Sequence, residues 1–288
     1  MKLLIRLFFI LALVSFTGAQ QKDGLEFLPS GLNFMPLKAN HQEPRLGILY
    51  YTASTNLKVD IGNTVDLIAY YLNEGKVKFT SGIDFMAYAW STSYAGNRLQ
   101  IDALDGFFGG NISFSKITDD GKLLGRFRVI HNSAHLVDGH YSVSEGKWID
   151  GRKPIPFTRD TGELTLAHQL IRSWYDLKYY GTIAYSTLVR PSELKKYSGN
   201  CGFELALTDF AGKFLDKNIS IYFAHHFSIV GVPEYMGNNH SMLGVKFGDW
   251  NSKGLSFYIS YFSGNNIFSE YYKDRIEKFG IGFFVDFI

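Results

Sequence analysis

The chain has 288 residues, with 29 Lys and Arg against 27 Asp and Glu, a net charge of +2. That balance excludes the basic footprint of a nucleic-acid-binding protein, and no nucleic-acid partner is expected. A single cysteine, Cys201, excludes an internal disulfide and a cysteine-rich metal centre, and reads as a buried, inert thiol rather than a nucleophile.

Residues 1–19, MKLLIRLFFILALVSFTGA, carry Lys2 and Arg6, then an apolar run from Leu7 to Phe16, then Gly18 and Ala19. This is the layout of a secretory signal peptide cut after Ala19. The run is too short to span a bilayer as a helix, and no later stretch of about 18 apolar residues exists. Residues 20–43 are polar and contain proline, and read as an N-terminal lead-in. Residues 44–288 read as one domain.

Within that domain, period-2 alternation dominates. In NLKVDIGNTVDLIAYY, Leu57, Val59, Ile61, Val65 and Leu67 oppose Lys58, Asp60, Thr64 and Asp66. Runs of this kind begin near Arg45, Leu57, Val77, Leu99, Leu123, Leu164, Leu177, Gly202, Ile219, Met242, Leu255 and Phe279, with turn clusters such as NEGK, TDDGK and NSKG between them. Many reach nine residues or more, longer than the usual 5–6 of a soluble sandwich and close to the ~9–11 that cross a bilayer at a tilt. Aromatics crowd the run ends, at Tyr50, Tyr51, Tyr70, Tyr71, Trp90, Trp174, Tyr175, Tyr271 and Tyr272. Such girdles mark membrane interfaces. The expected fold is all-β: a single antiparallel transmembrane β-barrel of about 12 strands, in the outer membrane of a Gram-negative-type bacterium, with outer-membrane lipids as its surroundings.

Three stretches carry a family resemblance. FLPSGLNFMPLKANHQEPRLGILY resembles the opening of a bacterial family designated only as a domain of unknown function, in which an F-x-P-L-x-A-N-x-x-E-P-R-like motif, here Met35 to Arg45, leads into the first strand. Arg126 to Tyr141 is similar to that family's histidine–serine–histidine–leucine segment. Ser256 to Phe287 resembles its last two strands, with Ser263, Gly264, Phe268, Arg275, Gly280, Gly282 and Asp286 in matching places. The resemblance implies an outer-membrane barrel and lends no activity.

The stretch FRVIHNSAHLVDGHYSVSE, residues 127–145, gathers the densest chemistry. On a regular strand Phe127, Val129, His131, Ser133 and His135 share one face, and Arg126, Arg128, Ile130 and Asn132 the other. Arginine facing lipid costs ~2–4 kcal/mol near the midplane, so Arg126 and Arg128 should face the lumen and His131 and Ser133 the lipid. His131-Asn132-Ser133 followed by Glu145 also resembles the His-x-Ser pair and later glutamate of the outer-membrane lipid A deacylases. That resemblance implies Ser133 as nucleophile, His131 as general base and Glu145 as the group that orients the imidazole, with Asp138 an equal candidate for that acid. The competing reading is a set of ordinary hydrogen-bonding groups at an interface.

His131 and His135 are about 13 Å apart on a strand, so no shared metal is expected, and no cofactor is implied. GFFGGN at 106–111 lacks the lysine of a phosphate loop and reads as a bent strand. An inward set of charges, Lys58, Asp60, Lys78, Asp84, Arg126, Arg128, Glu204 and Asp286, either lines a pore or fills a narrow lumen. Three functions stay open: a structural or interaction barrel with a largely filled lumen, an outer-leaflet lipid hydrolase, or a small passive channel. Nothing in the sequence identifies a protein partner.

Overall fold

The computed structural model describes residues 23–54, 56–94, 98–208 and 211–287; the expected signal peptide lies outside them. Twelve strands form the wall: β1 Leu46–Tyr51, β2 Leu57–Leu72, β3 Val77–Tyr94, β4 Arg98–Thr118, β5 Gly121–Leu136, β6 Phe157–Ile171, β7 Tyr175–Arg190, β8 Tyr197–Leu207, β9 Lys217–Gly231, β10 Tyr235–Phe247, β11 Gly254–Asn265 and β12 Arg275–Asp286. Each pairs antiparallel with its sequence neighbours, and β12 pairs with β1 from Gly280↔Tyr51 to Val285↔Leu46. The sheet therefore closes on itself and leaves no edge to satisfy, as a hydrocarbon environment demands.

Alternation decides which face is which. Along β2, Lys58, Asp60, Thr64 and Asp66 are buried, while Ile61 and Val65 are exposed. A bulge between Asp66 and Ile68 then shifts the phase, so Ile68 and Tyr70 face outward where strict alternation would have continued with odd-numbered residues. The outward face carries an apolar belt on successive strands, including Phe85, Phe108, Phe127, Leu166, Ile183, Leu243, Phe257 and Ile281. Exposed apolar surface on this scale is unsuited to water and suited to lipid.

Some sequence expectations are corrected. Adjacent residues cannot share a face of a strand, so the paired aromatics divide: Tyr50 faces out and Tyr51 is buried. Tyr271 and Tyr272 are buried as well, in the loop between β11 and β12. Tyr50, Tyr70 and Trp174 are exposed as expected, and further outward aromatics include Tyr179, Tyr185, Tyr197, Tyr235 and Tyr261. Cys201 is exposed on β8 rather than buried. The GFFGGN stretch pairs with β5 without a break from Gly106↔Ser133 to Asn111↔Arg128. The irregularity falls beside it, where Trp90 pairs with Ala103 and Ser91 with Ile101 and Asp102 is skipped.

Inside, three hairpins repeat one device. Tyr180 lies opposite Gly202, Tyr222 opposite Gly244 and Tyr258 opposite Gly282. Each tyrosine ring covers its partner glycine: a Cβ on Gly244 would stand 2.7 Å from the Tyr222 hydroxyl oxygen, and one on Gly282 2.9 Å from that of Tyr258. The missing side chain lets the ring lie flat against the wall, the arrangement known to support curved strands.

The start of the wall is split. A short strand, Gly24–Phe27, pairs with Tyr71–Ile68 of β2, and β1 pairs with Asp60–Leu57 of the same strand. Both lie along one edge of β2. Between them, residues 28–45 leave the wall and enter the lumen, where Leu37, Ala39 and Glu43 are almost fully buried.

Candidate functional site

The inserted segment is tied to the wall by charge at several levels. Near the end of the barrel where the Gly24–Phe27 strand and the end of β12 lie, the Asn33 amide N–H donates to the Asp66 carboxylate at 2.8 Å. The Lys38 ammonium lies 2.9 Å from Asp286, which also accepts from Lys246 at 2.7 Å. Lys178 bonds Glu204 at 2.9 Å, and Glu204 accepts the Lys38 backbone N–H. Higher up, Glu43 sits between two arginines. Arg126 grips both of its carboxylate oxygens, one at 2.9 Å, and Arg128 Nη1 stands 3.8 Å away. Arg128 donates through Nε and Nη2 to Glu163 at 2.9 and 2.7 Å, and through Nη1 to the Gln42 carbonyl at 3.0 Å. A buried charge is tolerated only with such partners.

The inward charges singled out from the sequence are all in this interior. Lys58 pairs with Asp60, and Asp84 accepts from Asn111 at 3.0 Å. Arg126, Arg128 and Glu204 are buried and bonded as above. Lys78 is half-buried at the margin. The partners Lys38 and Glu43 were hidden in the stretch read as a lead-in. The only hint was the apolar set Leu32, Phe34, Met35 and Leu37 beside the charges Lys38 and Glu43 in a stretch that otherwise reads as polar.

The other end of the barrel is covered by its loops. Residues 266–274, between β11 and β12, fold inward. Ser269 donates its backbone N–H to Asp105 at 3.1 Å, and the Tyr271 hydroxyl donates to Asp102. His140, from the β5–β6 loop, bonds Asp102 through Nδ1 at 2.6 Å. Arg152 pairs with Asp274 at 2.9 Å, and Glu193 accepts from Tyr272 and lies 2.9 Å from Lys273. The Tyr272 hydroxyl and the Lys273 ammonium hold the Glu193 carboxyl below its usual range. Burial pushes the Glu270 carboxyl up.

The residues of the proposed hydrolytic site lie apart from this interior. His131 and Ser133 are on the outward face of β5, near its loop end. His131 Nδ1 meets Asp160 Oδ1 at 2.6 Å, a pair made by the register His131↔Asp160 across β5 and β6. Glu145 is elsewhere, on the exposed loop, 3.0 Å from Lys147. The side chain of Asp138 lies outside the described residues. Asp160 was not legible, because a 20-residue loop separates the two strands (Val137 to Pro156) and leaves their register undetermined by the sequence. A groove lined by Gly109, Gly110, Ile112, Phe127 and Val129 runs along the wall to this His–Asp pair.

Comparisons with known proteins follow the architecture. Among solved structures the chain is similar to the beta domain of the Bordetella autotransporter BrkA, at 11% identity and a TM-score of 0.43, over 84% of this chain and 96% of that one. It is similar to the toluene transporter TodX of Pseudomonas putida, at 10% identity and a TM-score of 0.43, over 80% and 69%. LpxR from Salmonella typhimurium follows, at 8% identity and a TM-score of 0.39, over 84% and 98%. No curated protein sequence matches the chain. A family model described as "Protein of unknown function (DUF1207)" matches residues 26–287, nearly the whole chain: the protein belongs to the DUF1207 family.

Proposed function

We propose that the protein is an integral outer-membrane barrel whose own N-terminal segment closes the lumen, so that it serves as a structural or interaction barrel and not as an open pore. One observation carries this reading: Glu43, from the inserted segment, is completely buried between Arg126 and Arg128 of the wall. A passive channel would leave those guanidinium groups to water. The apolar outward belt supports a lipid environment, with the short turns on the periplasmic side and the long β5–β6 loop outside. The test is electrical. The protein reconstituted in a planar bilayer should add no steady conductance, and a steady conductance would overturn this reading.

A second reading rests on a separate feature. His131 and Asp160 form a polar couple on the lipid-facing wall, with Ser133 two residues along the same face. In this reading Ser133 is the nucleophile, His131 the base, and Asp160 takes the orienting part expected of Glu145. The chemistry is acyl transfer from an outer-leaflet lipid to water. Mass spectrometry of lipid A from cells expressing the wild type decides it. Loss of an acyl chain that disappears with Ser133→Ala supports the hydrolase, and unchanged lipid A beside a folded barrel sinks it for that substrate.

A further inference from the structure

Between the inserted segment and the inward-folded loop the lumen keeps a cavity of about 160 Å³. Its lining is mixed: Phe107, Ile130 and Phe262 form apolar parts of it, and Asn132, Ser186 and Asn200 are among its polar groups. At the ~10–15 Å³ that one water needs, it holds on the order of ten waters, the room taken by a solute of about a dozen heavy atoms.

Two charged residues line it, Arg159 and Glu163. Glu163 is engaged by the Arg128 fork. Arg159 is different. Its Nε and Nη2 are buried and have no hydrogen-bond partner. Lys38, Lys58, Arg126, Arg128, Lys178 and Lys246 each have a carboxylate within ion-pair distance. Among the described residues Arg159 has none. The Asn200 side-chain oxygen and His41 Nε2, both lining the same cavity, are also buried without a partner. Buried polar groups are almost always satisfied, so a cluster of unsatisfied ones around one cavity calls for an external partner.

We propose that this cavity binds a small hydroxylated organic anion, its carboxylate or phosphate on Arg159 and its hydroxyl groups among the neighbouring amides and hydroxyls. A guanidinium presents two parallel N–H groups that match either oxyanion, and Nε with Nη2 is one such pair. The Asn200 oxygen can accept from a ligand hydroxyl. Glu163 does not oppose this, because Arg128 neutralises it.

Isothermal titration of the full-length protein in detergent tests the proposal with three probes: gluconate, glycerol 3-phosphate and the neutral glucitol. The expected result is saturable one-to-one binding of gluconate or glycerol 3-phosphate, at least ten-fold tighter than glucitol; which anion binds identifies the headgroup. Arg159→Gln should weaken the anion at least ten-fold and leave glucitol unchanged. Asn200→Asp, which keeps the volume and adds a negative charge, should weaken it as well and serves if Arg159→Gln does not fold. Anions that bind no better than glucitol, or an Arg159→Gln barrel that binds like the wild type, would overturn it.

Discussion

Glu43 shows how much depends on a single side chain's neighbours. Arg126 and Arg128 beside it offset the cost of burying its carboxylate; without it, Arg126 is left facing a closed interior. Removing one member of a buried ion pair costs ~3–5 kcal/mol. Glu43→Ala should lower stability by about that amount in urea unfolding from lipid or detergent. Glu145→Ala provides the contrast. Its pairing with Lys147 is exposed on a loop, and such pairs contribute ~1 kcal/mol or less. The sequence indicated which way Arg126 and Arg128 point, because lipid excludes them. It could not name Glu43 as their partner, since that contact spans 83 positions and depends on where the inserted segment runs.

Strands and loops bring their own constraints. The tyrosine–glycine pairs need the glycine. Gly244→Val should displace the Tyr222 ring and cost about 1–3 kcal/mol, as overpacking does, while Gly181→Ala, whose Cβ would meet nothing within 4 Å, should be silent. The same unfolding measurement reads both. The β11–β12 loop should respond to pH. The Glu193 carboxyl is held low, so its contribution to docking Tyr272 and Lys273 is present above the ordinary glutamate range and is lost as pH falls through its depressed value. Glu270 acts in the opposite sense, since burial favours its protonated form. Hydrogen exchange of residues 266–274 should therefore lose, in Glu193→Gln, the part of its acid-induced opening that the wild type owes to this carboxylate. An unchanged pH profile would remove Glu193 from the latch. The strand count and eight of the strand starts, to within two residues, were legible because a membrane wall imposes strict alternation over long runs; the runs read from Leu164, Gly202, Met242 and Phe279 begin four to seven residues earlier, at Phe157, Tyr197, Tyr235 and Arg275. The bulge at Leu67 and the inward fold of Tyr271 and Tyr272 were not. The first breaks the period, and the second is set by contacts with Asp102 on β4 and with Glu193 in the β7–β8 loop, both distant in sequence.

The whole molecule joins a barrel wall with an apolar outward belt to an N-terminal segment seated in its lumen. The apolar belt and the sealed sheet follow from the sequence pattern. The closure does not, because residues 28–45 have no periodicity and show their role only where Lys38 and Glu43 meet the wall. Single-channel recording tests this closure most directly, comparing the full-length protein with Glu43→Ala in the same bilayer. The account predicts a silent wild type and intermittent openings when the Arg126–Glu43 contact is lost. A steady, ohmic conductance from the wild type would contradict it.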